Sequence, residues 1–102
     1  MSGTFPSPVA LATPNVSNAS VQVAPQNLQR LGLYVFNTSA TVTLWVAPTP
    51  TAAVVLGVGS VAIQPQQGVM FGPPGTPPWK TGMNAIASAP GSNAITILEF
   101  YP

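Results

Sequence analysis

Charge is nearly missing from this chain. Only Arg30, Lys80 and Glu99 carry it, 3% of 102 residues, where about 25% is usual. Histidine and cysteine are absent altogether. A zinc site would need Cys, His or clustered carboxylates, and a Ser-His-Asp or Cys-His nucleophile would need its base. Two-carboxylate glycoside chemistry fails because Glu99 is the only acidic side chain. Enzyme activity is therefore not expected, and no cofactor or metal is expected either. Two basic residues cannot supply the several phosphate contacts on which nucleic-acid binding rests, and without cysteine no disulfide can staple the fold.

Long hydrophobic runs are missing too. The most apolar window, Ala52–Ile63, is 12 residues long and contains Gly57, Gly59 and Ser60, whereas a spanning helix needs about 20 residues. No membrane association is expected. Met1 is followed by Ser-Gly-Thr-Phe-Pro, with neither a basic nor an apolar leader region, so no secretory signal is read there. Three Asn-x-Ser/Thr triplets (at Asn15, Asn18 and Asn37) read as chance matches in a chain rich in those residues.

Apolar content is nevertheless ordinary at 46%, so the chain can build a core and does not have the composition of a disordered one. Ser, Thr, Asn and Gln stand where Lys and Glu usually stand. Such a surface has little colloidal protection against self-association, which suits a component of an assembly.

Residues 1–19 carry Pro6, Pro8 and Pro14 with no sustained period. They read as an extended arm, with Phe5, Val9 and Leu11 as widely spaced apolar anchors that either hang loose or order on a neighbouring subunit. Residues 20–102 read as a single domain of strands and turns. In Arg30–Phe36, Leu31, Leu33 and Val35 share one face while Tyr34 and Phe36 take the other. Thr41–Val46 puts Val42, Leu44 and Val46 opposite Thr41, Thr43 and Trp45. Two alternating runs around Asn37-Thr38-Ser39-Ala40 predict a hairpin, with Tyr34 and Trp45 paired across it.

Ala53–Val58, Ser60–Gln64 and Val69–Phe71 continue the pattern. Met83–Ala89 and Ala94–Tyr101, around the turn Pro90–Asn93, predict a second hairpin. No window holds a helical face, and Pro and Gly recur too closely for long helices. The expectation is an all-β, antiparallel sandwich, jelly-roll-like, of about 6–8 short strands with an extended N-terminal arm.

Few side chains invite a functional reading. The stiff segment Gly72–Pro78, with Pro74 and Pro77 in a PxxP, reads as a rigid inter-strand loop ahead of a polyproline ligand. Trp79 at its end is either an interface anchor or core packing. Trp45 and Tyr34, on outward faces, are cross-strand stabilisers first and subunit contacts or a carbohydrate platform second. Arg30 and Glu99 lie at or within strands, and neighbouring strands would let them pair and set register.

The order of short segments also resembles a known group. Arg30-Leu31-Gly32-Leu33-Tyr34-Val35-Phe36-Asn37 is similar to an opening strand, and Ile63-Gln64-Pro65-Gln66-Gln67-Gly68 to the step that follows. Trp79-Lys80-Thr81-Gly82-Met83-Asn84-Ala85-Ile86-Ala87 and Ile95-Thr96-Ile97-Leu98-Glu99 complete the series. Together they resemble small β-sandwich virion structural proteins of tailed bacteriophages, in particular capsid decoration (cement) proteins. Gln66-Gln67 departs from the group where a Pro-Gly turn would stand. The resemblance implies a non-enzymatic protein on the outer capsid surface, often a homotrimer, that clamps neighbouring major capsid subunits. A tail, baseplate or fibre-attachment component and a glycan-binding module are the alternatives.

Overall fold

The computed structural model describes residues 7–11, 15–73, 75–91 and 93–102. Among them run nine strands: β1 Ser7–Ala10, β2 Asn15–Val16, β3 Val21–Ala24, β4 Gly32–Asn37, β5 Leu44–Pro48, β6 Val61–Ile63, β7 Gly68–Phe71, β8 Met83–Ala87 and β9 Asn93–Tyr101. They form two antiparallel sheets. One has the order β1-β9-β4-β7, with β2 also on β9, and the other is β3-β8-β5-β6.

β1 pairs Ser7 with Tyr101 through Ala10 with Leu98, and β2 continues with Asn15 opposite Ala94 and Val16 opposite Asn93. They act as one interrupted edge strand, so each sheet is four strands wide. From β2 onward every connection but β5–β6 crosses from one sheet to the other. This is the jelly-roll arrangement. The sequence-based fold class holds.

The same crossings correct both predicted hairpins. β4 and β5 lie in different sheets, and so do β8 and β9. Turn residues announce a reversal without saying which sheet receives the returning chain, and an alternating strand fits either one. At the first corner Asn37 decides. Its Nδ2 donates to the carbonyls of Val42 (2.8 Å) and Ile63 (3.0 Å), while its Oδ1 accepts the Ser39 N–H at 3.0 Å. The Asn37 N–H also donates to the Gln67 carbonyl, and its own carbonyl accepts the Gln66 N–H. A buried amide thus joins β4 of one sheet to β6 of the other. At the second corner Asn93 Nδ2 donates to the carbonyls of Val16 and Ala89.

The core follows from alternation. Leu33, Val35, Ile95 and Ile97 of one sheet face Leu44, Val46, Ile63, Met83, Ala85 and Ala87 of the other, and Val16 and Val23 close the side. Removing water from such side chains is worth about 1.5–3 kcal/mol apiece for the large ones.

Two further expectations change. Ala53–Val58 forms no strand: Leu56 takes a left-handed backbone (φ 57°) and Gly57 N–H turns back onto the Val54 carbonyl. Over its described residues, the expected arm pairs with β9 of its own chain. Leu11 N–H donates to Ile97 O, and beyond β2 Ala87 N–H donates to Ser17 O. The N-terminal segment therefore passes from the edge of one sheet to the edge of the other and closes that side of the sandwich.

Candidate interaction surface

Two charged side chains point inward. Arg30, with no exposed surface, sits just before β4, and Glu99, 4% exposed, sits on the inner face of β9. Their N–O distance is 2.8 Å. The guanidinium also donates to the carbonyls of Trp79 (3.1 Å), Pro25 (3.2 Å) and Thr81 (2.7 Å). Glu99 Oε2 accepts Asn27 Nδ2 at 3.1 Å and Oε1 accepts the Tyr101 hydroxyl at 2.9 Å. Asn27 Nδ2 further donates to the Tyr101 oxygen at 2.8 Å.

A planar fork of donors is what lets arginine serve several fixed acceptors at once. Burial by itself raises the Glu99 carboxyl pKa. The hydrogen bonds from Arg30, Tyr101 and Asn27, with the Arg30 charge, outweigh it and hold the group below its ordinary value. Partial burial and the Glu99 acceptor push the Tyr101 phenol up. The pairing read from the sequence is present, and it is a structural clamp across three segments far apart in the chain.

With that pair buried, Lys80 is the one charged side chain left outside, and its ammonium faces the Leu28 carbonyl. Among the described residues no group of three or more metal-ligating side chains occurs.

The candidate contact residues do not gather on one face. Phe5 and Pro74 lie outside the described residues. Val9 is half exposed on the β1 edge, whereas Leu11 packs against the core. Tyr34 lies on the outer face of β4, stacked on Phe36 with ring centres 6.5 Å apart. Its ring covers Gly68 of β7, where any Cβ would collide with it.

Trp45 lies on the outer face of the opposite sheet, between Ala62 and Ile86. The predicted Tyr34–Trp45 pair is therefore absent, for the reason that undid the hairpin. Trp79 packs against the core and against Phe71 (5.1 Å between ring centres), closing the sandwich beside Arg30. Pro77 is exposed. Among the described residues the buried indole N–H groups of Trp45 and Trp79 find no acceptor.

A surface that residue types alone did not single out is the β5–β6 loop, residues 49–60. Thr49 N–H donates to Gly82 O, Asn84 Nδ2 to Thr51 O, and Ala53 N–H to the Ser20 hydroxyl. Asn84 alternates with buried Met83 and Ala85 and so faces outward, and β8 lies between β5 and β3. The loop thus crosses the outer face of its sheet before returning to β6. At its turn Val54, Val55, Leu56 and Val58 are exposed, Leu56 by 82% and Val58 by 103%. The signal in the sequence is the apolar run itself, Ala52–Val58, which reads as a strand and which holds Gly57 where the turn forms.

Compared with protein-family models, curated proteins and solved structures, the chain finds no match.

Proposed function

We propose that this chain is a non-enzymatic structural protein of a virion: a decoration protein on the outer capsid surface that binds and clamps neighbouring major capsid subunits, as a homo-oligomer with a trimer favoured. The observation that carries the reading is the uncharged surface. Two of the three charges are spent inside the fold, leaving Lys80 alone outside. Freely diffusing proteins are kept apart by net charge, and a chain that has given this up is suited to a fixed place in an assembly.

Attachment at many identical sites lets weak, neutral contacts add up without strong single anchors. The jelly roll is compatible with this role, since capsid and lectin domains both use it, but architecture alone selects neither. A glycan-binding role draws little support. Its three candidate aromatics, Tyr34, Trp45 and Trp79, lie on two opposite outer faces and at the end of the core.

The test is an electron-microscopy reconstruction of the virus particle, with the chain quantified per particle. Hundreds of copies on the capsid exterior are expected. A few copies confined to the tail would overturn the capsid reading in favour of a tail or baseplate component.

A further inference from the structure

The N-terminal segment is held in two separate grips. From Asn15 onward it is fixed: Val16 has no exposed surface, Asn93 Nδ2 donates to its carbonyl, and Ala87 N–H donates to Ser17 O. Over Ser7–Leu11 the hold is lighter. Val9 is 50% exposed and Ala10 stands in water, and Leu11 is the apolar side chain that packs against the core. What joins β1 to its sheet is backbone pairing with β9. From Leu11 to Asn15 the segment advances four residues, while its partner advances three, from Ile97 to Ala94. The extra residue breaks the ladder between the two grips.

The seat that β1 occupies does not depend on β1. β9 pairs along its other side with all six residues of β4, Ile95 and Ile97 lie in the core, and Glu99 is fastened in the Arg30 clamp. With β1 lifted off, β9 presents an edge of N–H and C=O groups, a template for another strand. The structure shows which strand fits it: Ser7–Ala10, in one register, opposite Tyr101 to Leu98.

We propose that β1 is an exchangeable strand, and that in the homo-oligomer the β1 of each copy seats on β9 of the next. This rests on the homo-oligomeric reading above and names the contact that makes it. Exchange reforms between copies the same pairs that it breaks within one, which makes it a low-cost route to oligomers. Head-to-tail donation closes into a ring wherever the rotation permits, and three copies satisfy it as well as two. Main-chain hydrogen bonds supply the affinity in strand addition, so the absence of charge from Ser7–Leu11 is no handicap.

The added strand also carries a stop. Leu11 N–H donates to Ile97 O, and bonded and unbonded positions alternate in an antiparallel pair. Val9 therefore turns its N–H toward β9, whereas Pro8 and Ala10 face away. Proline stands where it costs β9 no bond and where it denies a donor to any strand arriving on the outer side. One strand adds, and the sheet ends.

Because the chain has no cysteine, an introduced disulfide reports the pairing. Ala10 and Leu98 face each other across the ladder as an unbonded pair, with Cα atoms about 4.5 Å apart, within disulfide reach. Ala10→Cys/Leu98→Cys is assembled at sub-millimolar concentration, oxidised and run without reductant, beside sedimentation velocity on the wild type. Chains joined to one another, up to closed trimers, are expected. Oligomers whose disulfides all lie within single chains overturn the exchange and leave the homo-oligomer standing. Monomers at every concentration overturn both.

Should the cysteine variant fold poorly, two prolines decide. Val9→Pro removes a bond to β9 and should leave monomers, while Ala10→Pro removes none and should still assemble. An oligomer indifferent to Val9→Pro, or lost equally with Ala10→Pro, overturns the exchange.

Discussion

The Arg30 clamp and the 54–58 turn are opposites. One buries a guanidinium and a carboxylate and satisfies them with carbonyls, an amide and a phenol. The other holds a leucine and valines in water. Most proteins bury the apolar groups and leave the charges outside. The inversion teaches that charge in this chain serves the fold, while apolar surface is left outside the core. Stability should therefore depend on the first region and hardly on the second.

The largest expected effect lies at the clamp. Arg30→Ala leaves Glu99 buried without its partner and three carbonyls without their donor, and should cost about 3–5 kcal/mol in urea unfolding. A loss under about 1 kcal/mol would reduce the clamp to a bystander. Asn37→Ala, which strands the carbonyls of Val42 and Ile63 at the corner between sheets, should cost about 2–3 kcal/mol. Unfolding midpoints check both.

Next comes pH. Glu99 titrates below its ordinary value of 4.5 in the folded chain, so the unfolded state takes up its proton first. Its contribution is complete above pH 4.5 and drains away as pH falls through the lowered folded value. Because Glu99 is the only acidic side chain, the acid decline in stability should vanish in Glu99→Gln, a less stable variant whose stability is flat there. Tyr101 works at the other end. Its raised pKa gives a contribution present below pH 10 and lost as pH rises through the folded value, and Tyr101→Phe should abolish that loss.

The smallest effect on folding belongs to the turn: Leu56→Ser should move stability by no more than about 0.5 kcal/mol. A large destabilisation would erase the contrast between the two regions.

Much of the fold was legible from residue order. The alternation of Leu33 and Val35 with Tyr34 and Phe36, and of Leu44 and Val46 with Trp45, gave strand faces that match the observed burial. The single opposite-charge pair in so neutral a chain could be anticipated to meet. Sheet membership was not legible. A four-residue polar turn reverses the chain equally well into a hairpin or across a sandwich, and the choice rests on where Asn37 finds buried carbonyls, including one 26 residues away. The exposed turn was hidden for a related reason. An apolar run reads as buried, and only the left-handed Leu56 and the turn at Gly57 show that it projects outward.

The most direct test of the central claim, that this protein meets its partners without charge, is the salt dependence of its association. Sedimentation velocity between 50 mM and 1 M sodium chloride should show assembly unchanged or strengthened, as apolar contacts are. Dissociation on raising salt would show that ionic contacts hold the copies together and would contradict the account.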